Sequence, residues 1–233
     1  MKLVALQLFN QNVRRSMAFV AWLIVCSCFV VPVSAIQDGS DGSSEPSGFE
    51  LAIQSSQPKV VKLVGSGGFR GLEPYQSAFL ISSDGYLLTV WSYVLDSDSV
   101  TATLDNGQKY EAKLVGYDPR IEIALLKIDA TDLPFFNLDA AVDLNVGSKV
   151  LAFSNLYGVA TGNESASVQH GIVSVKTKLS ARRGIRDSTY QDDVYILDAM
   201  TNNPGAPGGV VTDIEGRIGG LIGKELRLSL IHI

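Results

Sequence analysis

An all-β domain, built as a barrel or a sandwich, is the fold class this sequence predicts, and three observations predict it. Between Phe49 and Ile222 the apolar residues alternate or gather in short runs bounded by turn residues, with almost no helical period. Three of the breaks, Asp84-Gly85, Asn106-Gly107 and Glu215-Gly216, set a glycine where a hairpin needs positive φ. The runs are many and closely spaced, as in barrels and sandwiches and unlike the strand-helix alternation of parallel sheets.

The chain has 233 residues, 46% hydrophobic and 18% charged, enough for one domain or two packed halves. Its first stretch is read apart from the fold. Lys2, Arg14 and Arg15 form a basic beginning without acidic residues, Met17 to Val33 is a nearly continuous apolar run, and Val33-Ser34-Ala35 offers small residues for cleavage. Together they predict a signal peptide over residues 1–35, hence an exported, periplasmic or extracytoplasmic protein; if retained, the same run would anchor it in a membrane. Both cysteines, Cys26 and Cys28, lie in this segment, so the processed chain would hold neither a disulfide nor a thiolate metal site. Cleavage would leave 16 basic against 24 acidic residues, a net charge of minus eight. That balance argues against nucleic acid as a partner.

Residues 36–48, polar and rich in Gly, Ser and Asp, predict a flexible linker, with the folded domain starting near Phe49. Strands are expected at Lys59–Val64, Ala78–Ser82, Tyr86–Val90, Val100–Leu104, Tyr110–Tyr117 and Glu122–Ile128. After the interruption Leu133–Gly147, further strands are expected at Lys149–Phe153, Ser167–Lys176, Val194–Leu197, Gly209–Thr212 and Arg217–Ile222. Two packed barrels fit this division, the first over about residues 49–132 and the second over about 146–227, with a separate tail at residues 228–233.

The order of motifs then becomes specific. LLTVWSYV (Leu87–Val94), DPRIEIALLK (Asp118–Lys127), VGSKVLAFSNLYG (Val146–Gly158), GIVS (Gly171–Ser174), DAMTNNPGAPGG (Asp198–Gly209) and EGRIGGLIG (Glu215–Gly223) follow one another. From about Val60 to Gly223 the chain resembles the HtrA/Deg family of trypsin-like serine endopeptidases. The resemblance implies a trypsin-like double six-stranded β-barrel, here with the C-terminal end of the second barrel truncated, and a site in the cleft between barrels.

The family's motif Leu-Thr-Asn-Asn-His-Val-Val reads Leu88-Thr89-Val90-Trp91-Ser92-Tyr93-Val94 here, which puts Ser92 at the histidine position. Its motif Asp-Pro-Arg-x-Asp puts Glu122 at the aspartate position, and Asn-Pro-Gly-Asn-Ser-Gly-Gly puts Pro207 at the serine position, with one residue inserted upstream of Pro204. Serine catalysis needs a hydroxyl made nucleophilic by a base, an acid to orient that base, and amide donors for the oxyanion. Ser92 is no base at neutral pH. Pro207 has no hydroxyl and no N–H, and the nucleophile's own amide is an oxyanion donor in this fold. No catalytic residue is therefore expected. The loop Gly205, Ala206, Gly208 and Gly209 would keep the backbone of the oxyanion loop, and Gly220, Leu221, Ile222 and Gly223 align with the strand that pairs with bound peptide. Trp91 and Tyr93, beside the vacated histidine position, are expected to pack in the cleft.

The favoured function is an HtrA-like pseudoprotease that binds unfolded or extended polypeptide without cutting it, since strand addition needs backbone groups and no triad. The role would be chaperone-like, scaffolding or regulatory, as a homo-oligomer or in co-assembly with an active HtrA-type protease. One alternative is an active endopeptidase whose nucleophile is a serine at another position beside a base, for which His170 is the candidate because His232 lies in the tail; another is a structural envelope domain. No cofactor and no metal are expected: Asp96, Asp98, Asp192 and Asp193 lack the spacing of a calcium loop. The basic run Lys176–Arg186 reads as a solvated loop and Asn163-Glu164-Ser165 as a glycosylation pattern too common to weigh.

Overall fold

The computed structural model describes residues 46–65, 73–97, 99–178, 182–183, 186–187 and 193–224. The expected signal peptide with Cys26 and Cys28, most of the linker, Asp98, Asp192, His232 and the tail lie outside the described residues.

A short helix, α1 (Gly48–Ser56), opens the domain. Ser47 caps it: the Glu50 N–H donates to the Ser47 hydroxyl at 3.3 Å while the Ser47 N–H donates to the Glu50 carboxylate at 2.9 Å. This reciprocal pair satisfies two donors that the first helical turn leaves open. The helix overlaps the last residue of the expected linker, and the signal for it is the Ser47–Glu50 spacing, not an apolar period. Ala52 and Ile53 turn inward from it.

Thirteen strands follow among the described residues. Six of them, β1 (Val60–Val64), β2 (Tyr75–Leu80), β3 (Tyr86–Val90), β4 (Val100–Thr103), β5 (Lys109–Asp118) and β6 (Ile123–Lys127), close an antiparallel barrel in the order β1-β2-β3-β6-β5-β4. β1 pairs with β2 in the register Val61↔Ala78 and closes the ring on β4 in the register Leu63↔Ala102. Of the rest, β7 (Lys149–Ser154), β8 (Ser167–Lys178), β11 (Asp193–Leu197), β12 (Val210–Asp213) and β13 (Ile218–Leu221) form a five-stranded sheet in the order β11-β8-β7-β12-β13. The ribbons β9 (Arg182–Arg183) and β10 (Arg186–Asp187) pair only with each other.

The second sheet curls, so that its two edges face one another. Between them runs the inter-barrel segment, where the Val142 N–H donates to the Ile218 carbonyl at 2.8 Å and the Leu144 N–H to the Tyr195 hydroxyl at 3.1 Å. The expected double-barrel class is thus present as a closed barrel and a curled half-barrel. Gly85, Gly107 and Gly216 carry the positive φ expected of the three hairpins.

Burial on both faces explains why the apolar residues of β1 and of the second half of β2 do not alternate with polar ones. Val61, Leu63, Ala78 and Leu80 fill the first barrel, whereas Val60 and Phe79 point the other way, onto Leu151, Phe153 and Val210 of the second sheet. Phe79 meets Phe136 edge-on, with ring centroids 5.8 Å apart. Full burial of a ring such as Phe79 contributes about 2–3 kcal/mol, so the junction of the halves is itself a core. Lys62 is buried in the same strand, and its Nζ donates to the Gly162 and Glu164 carbonyls at 2.8 Å each, tying the β7–β8 loop to the first barrel. Burial lowers its pKa, because an ammonium loses hydration there.

Candidate functional site

Ser92, Glu122 and Pro207, the residues that the sequence resemblance sets at the triad positions, come together around the start of β2. Ser92, just after β3, caps the short turn Tyr93–Leu95 by accepting from the Val94 N–H at 3.1 Å, and its own hydroxyl donates to the Gln76 carboxamide oxygen. The next residue, Ser77, donates its N–H to the Pro207 carbonyl at 3.0 Å. On the other side the Trp91 N–H donates to the Glu122 carbonyl at 2.8 Å. Glu122 holds φ +56°, a left-handed conformation that a glutamate adopts at a cost. One chain of hydrogen-bonded neighbours thus runs from Glu122 through Trp91, Ser92, Gln76 and Ser77 to Pro207.

Sequence reasoning missed Gln76, Ser77, Thr89 and Asn155, all of them buried. The Gln76 amide donates to Thr89 Oγ1 at 2.8 Å and to the Val90 carbonyl at 3.2 Å. Thr89 Oγ1 donates to the Ser77 carbonyl at 2.6 Å, and Ser77 Oγ donates to the Gly205 carbonyl at 2.6 Å while accepting from the Asn155 N–H at 2.7 Å. The available signal was their polarity within apolar strands, since a buried polar group requires a partner. The Ser77, Thr89 and Ser92 hydroxyls all donate to oxygen.

The loop at Pro207 has a fixed backbone. Gly205 and Gly208 stand at φ +84° and +85°. A Cβ at Gly205 would fall 2.0 Å from the Asn155 carbonyl oxygen, and one at Gly208 would fall 2.0 Å from that of Ser77. Only glycine fits both the dihedral and the space. The Ala206 N–H donates to Asn203 at 3.1 Å and the Gly209 N–H to Ala206 at 3.0 Å, closing the turn on itself. Ala206 is wholly buried and Pro207 is half-exposed.

Gly220 and Leu221 lie on β13, an edge of the sheet among the described residues, in register with Val211 and Val210. Ile222 differs from its neighbours. It is buried, its carbonyl accepts from the Gly208 N–H and its N–H donates to the Gly209 carbonyl, both at 2.8 Å. Its backbone is therefore committed to the loop. Gly223 is exposed, and Lys224 beyond it brings Nζ to 3.8 Å from Glu122 Oε1 of the first barrel.

The aromatics beside Ser92 turn away from it. Trp91 stacks on Tyr117 with centroids 4.1 Å apart, and Tyr93, 42% exposed, donates its hydroxyl to the Glu73 carbonyl at 2.9 Å. What meets the Ser92 hydroxyl is the Gln76 carboxamide. The Tyr75 ring lies between Gly158 and Gly205, 2.9 and 3.1 Å from where a Cβ at each would stand. Tyr157, at φ +54°, donates its hydroxyl to Asn203 at 3.0 Å. Burial and the nearby Glu73 carboxylate raise the pKa of both Tyr75 and Tyr93.

The remaining candidates lie elsewhere. His170 is exposed within β8, and its ring packs edge-on against Phe49 of α1 at 5.4 Å. Lys176 pairs with Asp143 at 2.5 Å, the same carboxylate that accepts from the Tyr195 hydroxyl at 2.5 Å. Glu164 accepts from the Thr161 and Gly162 N–H groups at 3.1 and 2.7 Å, shaping the loop that Lys62 grips.

Residues 76–221 match the model of the trypsin-like peptidase domain. The chain is 36% identical over 177 residues to the "Probable periplasmic serine endoprotease DegP-like" of Pseudomonas fulva, an alignment covering 76% of this chain and 34% of that protein. It is 32% identical over 145 residues to a protein of the same description from Chlamydia muridarum, covering 62% and 27%. The structure is similar to that of the HtrA-type protease AlgW with a tripeptide, with a TM-score of 0.61 at 30% identity over 76% of this chain and 54% of the other. It is also similar to a serine endoprotease from Yersinia pestis, with a TM-score of 0.57 at 26% identity over 76% and 57%. The chain spans about a third of the length of the curated relatives it matches.

Proposed function

The chain belongs to the trypsin-like peptidase family, on its HtrA/DegP branch, and from that premise we propose that it is a pseudoprotease that binds extended polypeptide in the cleft and leaves it uncut. The observation that carries this reading is Pro207 at the tip of a tight loop whose Gly205 and Gly208 hold positive φ, a loop we read as the equivalent of the oxyanion loop. Proline supplies neither the attacking hydroxyl nor the amide donor, and loss of one such donor alone costs about a hundredfold to a thousandfold in rate. The neighbouring hydroxyls lend no substitute, since Ser77, Thr89 and Ser92 all donate to oxygen and none to a basic nitrogen. His170, the candidate for a relocated base, packs on Phe49.

Binding has support of its own. Among the described residues β13 offers Gly220 and Leu221 on a sheet edge, where an extended chain can add by backbone hydrogen bonds alone. The names of the curated relatives favour an exported, periplasmic protein, consistent with the signal-like residues 1–35. We assign it a chaperone-like, scaffolding or regulatory role, alone as a homo-oligomer or beside an active HtrA-type protease.

The test is fluorescence anisotropy of labelled, unfolded casein during titration with the full chain, followed over hours and read again on a gel. A stable plateau with intact casein is expected. Anisotropy falling below that of free casein, with fragments on the gel, would overturn the reading in favour of an active endopeptidase. No change at all would favour a structural domain with a closed cleft.

A further inference from the structure

Three segments that are distant in sequence converge at the mouth of the cleft. Glu73 and Tyr75 lead into β2, Tyr93 begins the turn after β3, and Tyr157 sits in the turn Leu156–Gly158 after β7. The first two segments belong to the closed barrel and the third to the second sheet, so the group straddles the cleft. Tyr75 is wedged between Gly158 and Gly205, and the Tyr157 N–H donates to the Pro204 carbonyl at 2.8 Å, so the group is built onto the Pro207 loop. Tyr93 and Tyr157 are nonetheless 42% and 56% exposed. Their surfaces face solvent.

The hydrogen-bonding state of this group points to a ligand class. The Tyr93 hydroxyl spends its proton on the Glu73 carbonyl, and the Tyr157 hydroxyl spends its proton on the Asn203 side-chain oxygen. What these phenols still offer is acceptor lone pairs and ring faces, and beside them stands the Glu73 carboxylate, which accepts only. Among the described residues no Lys or Arg pairs with Glu73. A cluster of acceptors, electron-rich rings and one negative charge suits a donor-only cation: an ammonium or guanidinium has donors and no acceptor, and is attracted to aromatic faces. Tyr157 also holds a left-handed backbone conformation, an unfavourable state for a bulky residue that projects its ring outward at this spot.

We propose that Glu73, Tyr75, Tyr93 and Tyr157 form a subsite for one basic side chain, lysine or arginine, of an extended polypeptide held in the cleft. This rests on the reading of the cleft as a polypeptide-binding site, and it names which polypeptides are preferred. The net charge of minus five on the chain favours the same partners at longer range.

The test compares two fluorescein-labelled extended decapeptides, identical except that one carries a central lysine and the other norleucine, binding to the full chain and to Glu73→Gln and Tyr157→Leu. All these positions are on the surface, and unchanged urea midpoints control for folding. The lysine peptide is expected to bind about tenfold tighter, in the range of a partly desolvated cation on aromatic rings beside a carboxylate, with the preference lost in both variants. Equal binding of the two peptides to the natural chain would overturn the subsite and leave polypeptide binding standing. If neither peptide binds, N-acetyl-lysine methylamide decides by NMR. Shifts of the tyrosine ring resonances that vanish in Glu73→Gln would keep the subsite and refute the cleft reading, whereas no shift would refute both.

Discussion

The Ser77 N–H donates to the Pro207 carbonyl at 3.0 Å, and through that bond a strand of the closed barrel holds the tip of the loop that carries the proline. The residue before Ser77 holds Ser92 through its carboxamide. Ser92 and Pro207 are thus fixed by adjacent residues of one strand.

Replacing the proline alone should not create a peptidase. Pro207→Ser would add a hydroxyl with no base to take its proton, and release of fragments from labelled casein should stay at the buffer rate. Ser92→His, Glu122→Asp and Pro207→Ser together should still fall at least about a hundredfold short of the same triple variant carrying Gln76→Gly as well, because the carboxamide that meets the Ser92 hydroxyl would crowd a larger imidazole introduced at residue 92. Equal turnover of the two multiple variants would refute the role given to Gln76.

Gly208→Ala should destabilise the domain by at least about 2 kcal/mol. A positive φ costs a non-glycine residue about 1–2 kcal/mol, and the added Cβ would meet the Ser77 carbonyl at 2.0 Å and Thr89 Oγ1 at 2.4 Å. Urea unfolding measures this as a lower midpoint at unchanged slope.

Lys62→Met should cost about 2–4 kcal/mol by the same assay. The substitution removes a buried ammonium and leaves the Gly162 and Glu164 carbonyls without their donor. Faster proteolysis within residues 160–166 should accompany it, since Lys62 grips that loop.

A pH dependence follows from Asp118. Hydrogen bonds from the Arg120 side chain and backbone, with the charge of the guanidinium, hold its pKa at about 2, below the ordinary value of 3.8. A depressed carboxylate pKa contributes stability above the unfolded value and loses it as pH falls through the folded one. The stability gap between the natural chain and Arg120→Ala should therefore be present above pH 3.8 and close between there and about 2. An NMR carboxyl titration of the variant should find the Asp118 pKa raised toward its ordinary value but still below it, because the backbone N–H of residue 120 continues to donate to the carboxylate.

Most strands were legible because their apolar residues point inward and their turns carry glycine. β3 falls at the residues expected, Tyr86–Val90, and β7 and β8 are off by one and two residues at their ends. β2 begins at Tyr75, earlier than expected, because Gln76 and Ser77 are polar but buried against partners 13 to 128 residues away. The helix α1 was hidden for a different reason: it is a single short element whose sign is a cap. For the candidate site, motif order singled out Ser92, Glu122 and Pro207. Their convergence on Gln76 and Ser77 is a product of tertiary packing, as is the internal use of Ile222 that separates it from Gly220 and Leu221.

Ile222 clasps the Pro207 loop at both flanks, its carbonyl on the Gly208 amide and its amide on the Gly209 carbonyl. The loop and the end of β13 therefore open as one cooperative unit or not at all. In deuterium exchange the Gly208 and Ile222 amides should share a single opening rate, and a chain settling on β13 should slow both together. Occupancy of the strand would then be felt as a stiffening at Pro207, a signal passed along the backbone without any bond being cut.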